Sequence, residues 1–128
     1  MDRSSFEILV QNSLEKLPKK FKKKLANIAV VVEDLPSQEL LNDMGIRSGK
    51  LLGLYQGVPL TQRGWNYGNM LPDRIVIYQR SIESVASSPE QMENIVQDTV
   101  IHEIGHYFGF SDKELREIEV MKRKKEGG

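Results

Sequence analysis

The clearest boundary in the chain is Ser88-Pro89-Glu90-Gln91: an N-cap serine, proline at the first helical position, and glutamine three residues after the cap. The helix it opens is predicted to run from Pro89 to about Phe108, with Gly109 placed to end it. This long helix carries both of the chain's histidines, His102 and His106. There is no cysteine, so disulfides, thiolate zinc fingers, iron–sulfur clusters and thiol catalysis are excluded. Any metal must be held by His, Asp or Glu.

The other elements follow from periodicity and punctuation. Ser4 with Glu7 forms a capping-box pattern, and Phe6, Leu9, Val10, Leu14 and Leu17 recur at helical spacing, so a first helix should run to about Leu17 and stop at Pro18. A second short turn fits Phe21 to Leu25. Ile28 to Val32 is a β-branched run bounded by Asn27 and Asp34 and reads as a buried strand. Ser37 to Met44 reads as a short helix closed by Gly45. Leu51 to Tyr55 is a second strand, broken by Gly57 and Pro59. Thr61 to Leu71 has neither period and reads as a loop. Arg74 to Tyr78 is a third strand, and Ser111 with Glu114 opens a last helix to roughly Lys124. The order helix, strand, helix, strand, strand, helix, helix predicts a small α/β or α+β domain with a three- or four-stranded sheet. With 128 residues, no repeats and no linker, the expectation is one domain over residues 1–128.

Eighteen Lys and Arg balance eighteen Asp and Glu, which argues against a generally nucleic-acid-binding or membrane-surface protein. The distribution is uneven. Lys16, Lys19, Lys20, Lys22, Lys23 and Lys24 form a basic run, and Lys122 to Lys125 a basic tail. Both read first as solvated helix ends, and secondly as a patch for RNA or the ribosome. Between Arg80 and Lys113 there is no Lys or Arg, while Glu83, Glu90, Glu93, Asp98, Glu103 and Asp112 are acidic, so a cation is attracted there. No apolar run approaches a membrane span, and the N-terminus has no secretion-signal pattern, so a cytoplasmic location is expected.

Within the long helix the sequence reads His102-Glu103-Ile104-Gly105-His106. Residues four apart on a helix differ by only about 40° in direction, so both imidazoles can reach one ion. Glu103 lies about 100° round from His102, where it can touch a water without ligating the metal. That is the physical content of the H-E-x-x-H motif: two neutral nitrogens bind zinc, and the carboxylate takes a proton from the water that zinc acidifies. The bland alternative is two surface histidines on an amphipathic helix.

A third ligand must be a carboxylate. On a straight helix Asp112 would lie about 9 Å beyond His106 and about 240° round, on the wrong face. A left-handed Gly109 could reverse the chain and fold Asp112 back onto the metal. Alternatively, Asp112 is the first-turn acid of the last helix, favoured by the dipole and the Ser111 cap. Glu114, Glu117 and Glu119 are fallback ligands.

HEIGHYFGFSD, together with the upstream segments LLGLYQGVPLTQRG and LPDRIVIYQ, resembles the small bacterial zincin-like metallopeptidase family, the minimal zincins, over about Ile28 to Glu119. The resemblance implies an α+β zincin fold: a small mixed sheet packed on the active-site helix, with flanking helices. It also implies His102 and His106 as ligands to one Zn²⁺, Glu103 as catalytic base, and Asp112 at the third-ligand position of H-E-x-x-H-x-x-G-x-x-D. Metzincins carry a histidine at that last position. Met121 falls in the predicted last helix, so a Met-turn is not expected. In zincins the sheet edge beside the helix can hold an extended peptide, and Leu51 to Tyr55 or Arg74 to Tyr78 would supply it. Tyr55, Arg63, Tyr67, Tyr78 and Tyr107 are chemically able to stabilise a developing oxyanion; Arg63 and Tyr67 lie in the irregular loop, where function concentrates. Trp65 reads as a loop anchor.

The main expectation is a zinc-dependent peptidase acting on a peptide or protein, with no membrane or nucleic-acid partner. The alternatives are a catalytically weak or inactive metal-binding interaction module, and an RNA- or ribosome-associated factor using Lys16 to Lys24.

Overall fold

A computed structural model describes residues 1–45, 51–57 and 73–108. Helix α1 spans Arg3–Glu15, α2 Lys19–Leu25, and strand β1 Ala29–Glu33; α3 spans Gln38–Asp43 and β2 Gly53–Gln56. Strand β3 covers Arg74–Tyr78, followed by α4 at Gln79–Val85 and α5 at Pro89–Phe108. The protein is α+β: the described residues form five helices and a three-stranded mixed sheet that packs against the long α5.

The sheet order is β1-β3-β2. β1 runs parallel to β3, with Val31 opposite Val76, and β2 runs antiparallel to it, with Tyr55 opposite Ile75. The central position explains the composition of β3: Ile75, Val76, Ile77 and Tyr78 are all buried, as a strand covered on both faces requires. Ile75 and Ile77 share one face and join the main core with Phe6, Leu9 and Val10 of α1 and Val96, Val100, Ile101 and Ile104 of α5. Val76 and Tyr78 alternate to the other face.

Several boundaries are local. Ser88 caps α5 by accepting from the Gln91 amide at 3.1 Å, while Gln91 reaches back to the Ser87 amide at 2.6 Å. Ser37 caps α3 by accepting from the Leu40 amide. Gly45 follows α3 at φ +73°, a left-handed value that a side chain would oppose.

Two expectations are corrected. Helix α1 is capped by Asp2, which accepts from the Ser5 amide at 2.8 Å, rather than by Ser4 with Glu7. The earlier start puts Arg3 in the first turn, where its guanidinium bonds the Val32 carbonyl at 2.7 Å and pairs with Asp34 beyond β1. That tertiary tie is invisible to a local pattern. Helix α4 was not expected: no side chain caps it, and it starts directly from Tyr78. Its anchor is Ile82, fully buried in the core. The loop Thr61 to Leu71 and the helix after Ser111 lie outside the described residues.

On α2, Lys19, Lys20, Lys23 and Lys24 border one shallow surface, whereas Lys22 pairs with Glu15 and Lys16 with Glu93. No helix among the described residues is long and apolar enough to cross a membrane.

Candidate active site

Burial along α5 sorts its residues by task. Val96, Gln97, Val100, Ile101, Ile104 and Gly105 turn inward, the pattern of a helix that buries one broad stripe. His102 is exposed and Glu103 half-buried, so the two polar residues of the motif stand at the margin of the packed face. His106 continues the helix backbone. Its imidazole lies outside the described residues, as do Asp112, Arg63, Tyr67 and Trp65.

The element that meets this margin is β2. The Tyr78 amide donates to the Leu52 carbonyl at 3.0 Å. Together with the register, this places Leu52, Leu54 and Gln56 in the ladder to β3. The amides and carbonyls of Gly53 and Tyr55 therefore point away from β3, along the sheet edge. Glu103 uses that edge: its Oε1 accepts from the Tyr55 amide at 2.8 Å. One helical turn earlier, Thr99 packs against Gly53. A Cβ on Gly53 would stand 2.6 Å from Thr99 Cγ2 and 2.9 Å from the Val76 carbonyl oxygen. Strand and helix thus run in the same sense, Gly53 beside Thr99 and Tyr55 beside Glu103.

Only a glycine permits that approach. Gly53→Ala is expected to destabilise the protein by ~1–3 kcal/mol, the usual range for overpacking, measured as a lower urea midpoint. Adding Thr99→Ala should recover only part, because the Val76 carbonyl belongs to the central strand and cannot swing aside. Full recovery would show that Val76 imposes nothing.

Two side-chain pairs clamp the chain where β2 ends and β3 begins. The Tyr55 hydroxyl donates to Asp73 Oδ2 at 2.8 Å, and Arg74 Nε donates to Gln56 Oε1 at 2.6 Å. The order of the sheet also settles which strand can offer an edge. Arg74–Tyr78 is central and flanked on both sides, so it is ruled out as the peptide-holding strand, and among the described residues β2 is the edge beside α5. Tyr78 falls on the sheet face opposite Ile75 and Ile77, away from α5, and is removed from the oxyanion donors. Burial pushes its phenol pKa up, with the Glu33 carboxylate adding to the effect. Tyr107 belongs to α5, but its side chain lies outside the described residues.

A polar cleft lined by Arg3, Asp34, Gln79, Arg80 and Glu83 sits at the other end of the sheet, past the C-terminal ends of β1 and β3. It holds no histidine, and Arg3 and Asp34 pair with each other across it.

Among the described residues no three His, Asp or Glu side chains converge on one point. The donor set nevertheless suits zinc in kind. Imidazole nitrogens and a carboxylate are among its usual ligands, and His102 presents its ring to solvent beside a carboxylate already held in place. The residues missed by sequence reasoning are Gly53 and the backbone of Tyr55. Glycine inside a strand was a usable signal for the first. For the second no local signal exists.

A helix that carries H-E-x-x-H and runs beside the edge strand of a mixed sheet defines the class to which this fold and site belong, the zincin-like proteins. The family model described as zincin-like metallopeptidase matches residues 25–122, well over half of the chain, and the chain belongs to that family. The structure is similar to that of a conserved hypothetical protein, TTHA0227, from Thermo thermophilus. The likeness has a TM-score of 0.56 at 27% sequence identity and covers 84% of this chain and 94% of that one. No curated protein matches the chain.

Proposed function

We propose that the protein is a zinc-dependent peptidase in which His102 and His106 hold one zinc ion, Asp112 completes the ligand set, and Glu103 is the general base. The observation that carries this reading is the Glu103 carboxylate: it is drawn to the edge of β2 beside an exposed His102, not turned into solvent. When bound, zinc supplies Lewis acidity, polarising a carbonyl and acidifying water.

The chain's own groups do the rest. Among the described residues β2 is the edge strand beside α5, and an extended peptide would add along it by main-chain hydrogen bonds. Peptide held there lies within reach of Glu103, whose carboxylate takes a proton from the attacking water and returns it to the leaving nitrogen. Ile101 and Ile104, both fully buried, anchor the helix on the core side so that residues 102 and 103 keep their direction. Arg63 and Tyr67 are the proposed donors to the developing oxyanion.

The test is metal analysis of the full chain combined with a peptide-library digest. The expected result is one zinc per chain, with hydrolysis lost on chelation and restored by added zinc. Protein that keeps its zinc and cleaves nothing would overturn the hydrolase reading and leave a metal-binding interaction module. A structure of the zinc-loaded protein with the Asp112 carboxylate turned to solvent would remove Asp112 from the ligand set.

A further inference from the structure

An ionised glutamate on a helix surface has three rotatable side-chain bonds, and a general base is effective only in the one arrangement that reaches its proton. Something has to select it. The helix alone cannot, because Glu103 sits at the margin of the buried stripe. What reaches Glu103 is a backbone group on a different element: the Tyr55 amide, 2.8 Å from Oε1. That length suits an amide N–H donating to a carboxylate.

The donor is itself rigid. Leu54 and Gln56, on either side of Tyr55, are locked into the ladder with β3, and Gly53 is seated on Thr99 one turn below Glu103. On a sheet edge, an outward amide would normally pair with water or an added strand. Here the base itself takes that amide.

We propose that the outward backbone amide of Tyr55 is the positioning donor of the general base: it fixes Oε1 of Glu103 against the edge of β2 and assigns proton transfer to Oε2. The role rests on the peptidase reading above, because it gives Glu103 its aim and presupposes that Glu103 acts as a base. Tyr55 itself touches no reacting atom. The same bond commits the Tyr55 amide to the protein, so that amide is not offered to a peptide added along the edge of β2.

A backbone donor can be deleted by proline, and this site is one where proline is tolerable, since the outward amide of an edge strand contributes nothing to the ladder. Tyr55→Ala removes the side chain and its bond to Asp73 but keeps the amide, so comparing Tyr55→Pro with Tyr55→Ala isolates the amide. Measured on zinc-loaded full chain, kcat should be ~10- to 100-fold lower in the proline variant than in the alanine variant, the penalty expected when a reacting group loses its alignment. KM and zinc content should be alike in the two. Equal kcat values, or a difference confined to KM or zinc content, would overturn the proposal.

A second measurement does not depend on the proline variant folding. In Glu103→Ala protein the Tyr55 amide proton should move upfield and lose its protection from exchange, while the ladder amides of Leu54 and Val76 keep theirs. An unchanged Tyr55 amide sinks the positioning role even if the wild type is an active peptidase. A wild type that hydrolyses nothing, although its Tyr55 amide responds to Glu103→Ala, brings down the peptidase reading and with it the role given to Tyr55.

Discussion

Replacing Glu103 with glutamine is expected to lower zinc-dependent peptide hydrolysis by ~10²- to 10⁴-fold, the range contributed by a positioned general base. The substitution is nearly isosteric. Its amide oxygen can still accept from the Tyr55 amide, which Oε1 now meets at 2.8 Å, so the side chain keeps its place and loses its basicity. Zinc content should be unchanged, because Glu103 is not among the proposed ligands. His102→Ala should behave in the opposite order, losing the metal first and hydrolysis as a consequence. Measuring kcat/KM and zinc stoichiometry on both variants separates the two roles. Undiminished hydrolysis in Glu103→Gln would remove Glu103 from the mechanism.

The largest effect on stability is expected one position further along the same helix. Ile104 is fully buried in the cluster formed by α1, β3 and α5. Truncation to alanine removes most of the side chain from a cluster that includes Phe6, Ile77 and Val100, and the helix cannot collapse into the gap without pulling away from the sheet. Ile104→Ala should therefore cost ~2–5 kcal/mol, from lost transfer energy plus the cavity left behind. Against a typical total of about 5–15 kcal/mol, that is a large share. It should appear as a reduced urea midpoint with an unchanged slope. His102 is exposed, two residues away, and its truncation should leave the metal-free midpoint almost where it was. If Ile104→Ala cost less than about 1 kcal/mol, the site would not be close-packed.

The contrast between those neighbours shows which parts of the molecule could be read from the chain. β3 at Arg74–Tyr78 and α5 at Pro89–Phe108 have the limits expected of them, because the information is local: a β-branched run behind Pro72 and Asp73, and a serine-proline start with a glutamine at the right offset. The placement of His102 and Glu103 on that helix was legible for the same reason, since helical spacing alone relates them. Helix α4 was not, because it has no cap and depends on one buried isoleucine reaching a core assembled from distant segments. The hydrogen bond that holds Glu103 was illegible for a deeper reason. Whether the Tyr55 amide points inward or outward depends on the order of three strands and on a one-residue register, and neither is written in the residues around it. The choice between Leu51 to Tyr55 and Arg74 to Tyr78 stayed open until the sheet order placed the second in the middle. Asp112, Arg63, Tyr67 and the His106 imidazole lie outside the described residues, so their part in the site stands on sequence and proposal.

The clamp at the end of the β2–β3 pair bears on how such a protein can diversify. Tyr55 with Asp73 and Gln56 with Arg74 close the hairpin at its mouth, and everything that aims Glu103 lies on the sheet side of that closure. The described residues on either side of 58–72 are thereby held together. Lengthening a flexible connection costs little, about 0.6 kcal/mol for each doubling. On the proposed mechanism, sequence added between residues 57 and 73 would therefore leave the alignment of the Glu103 carboxylate unaltered.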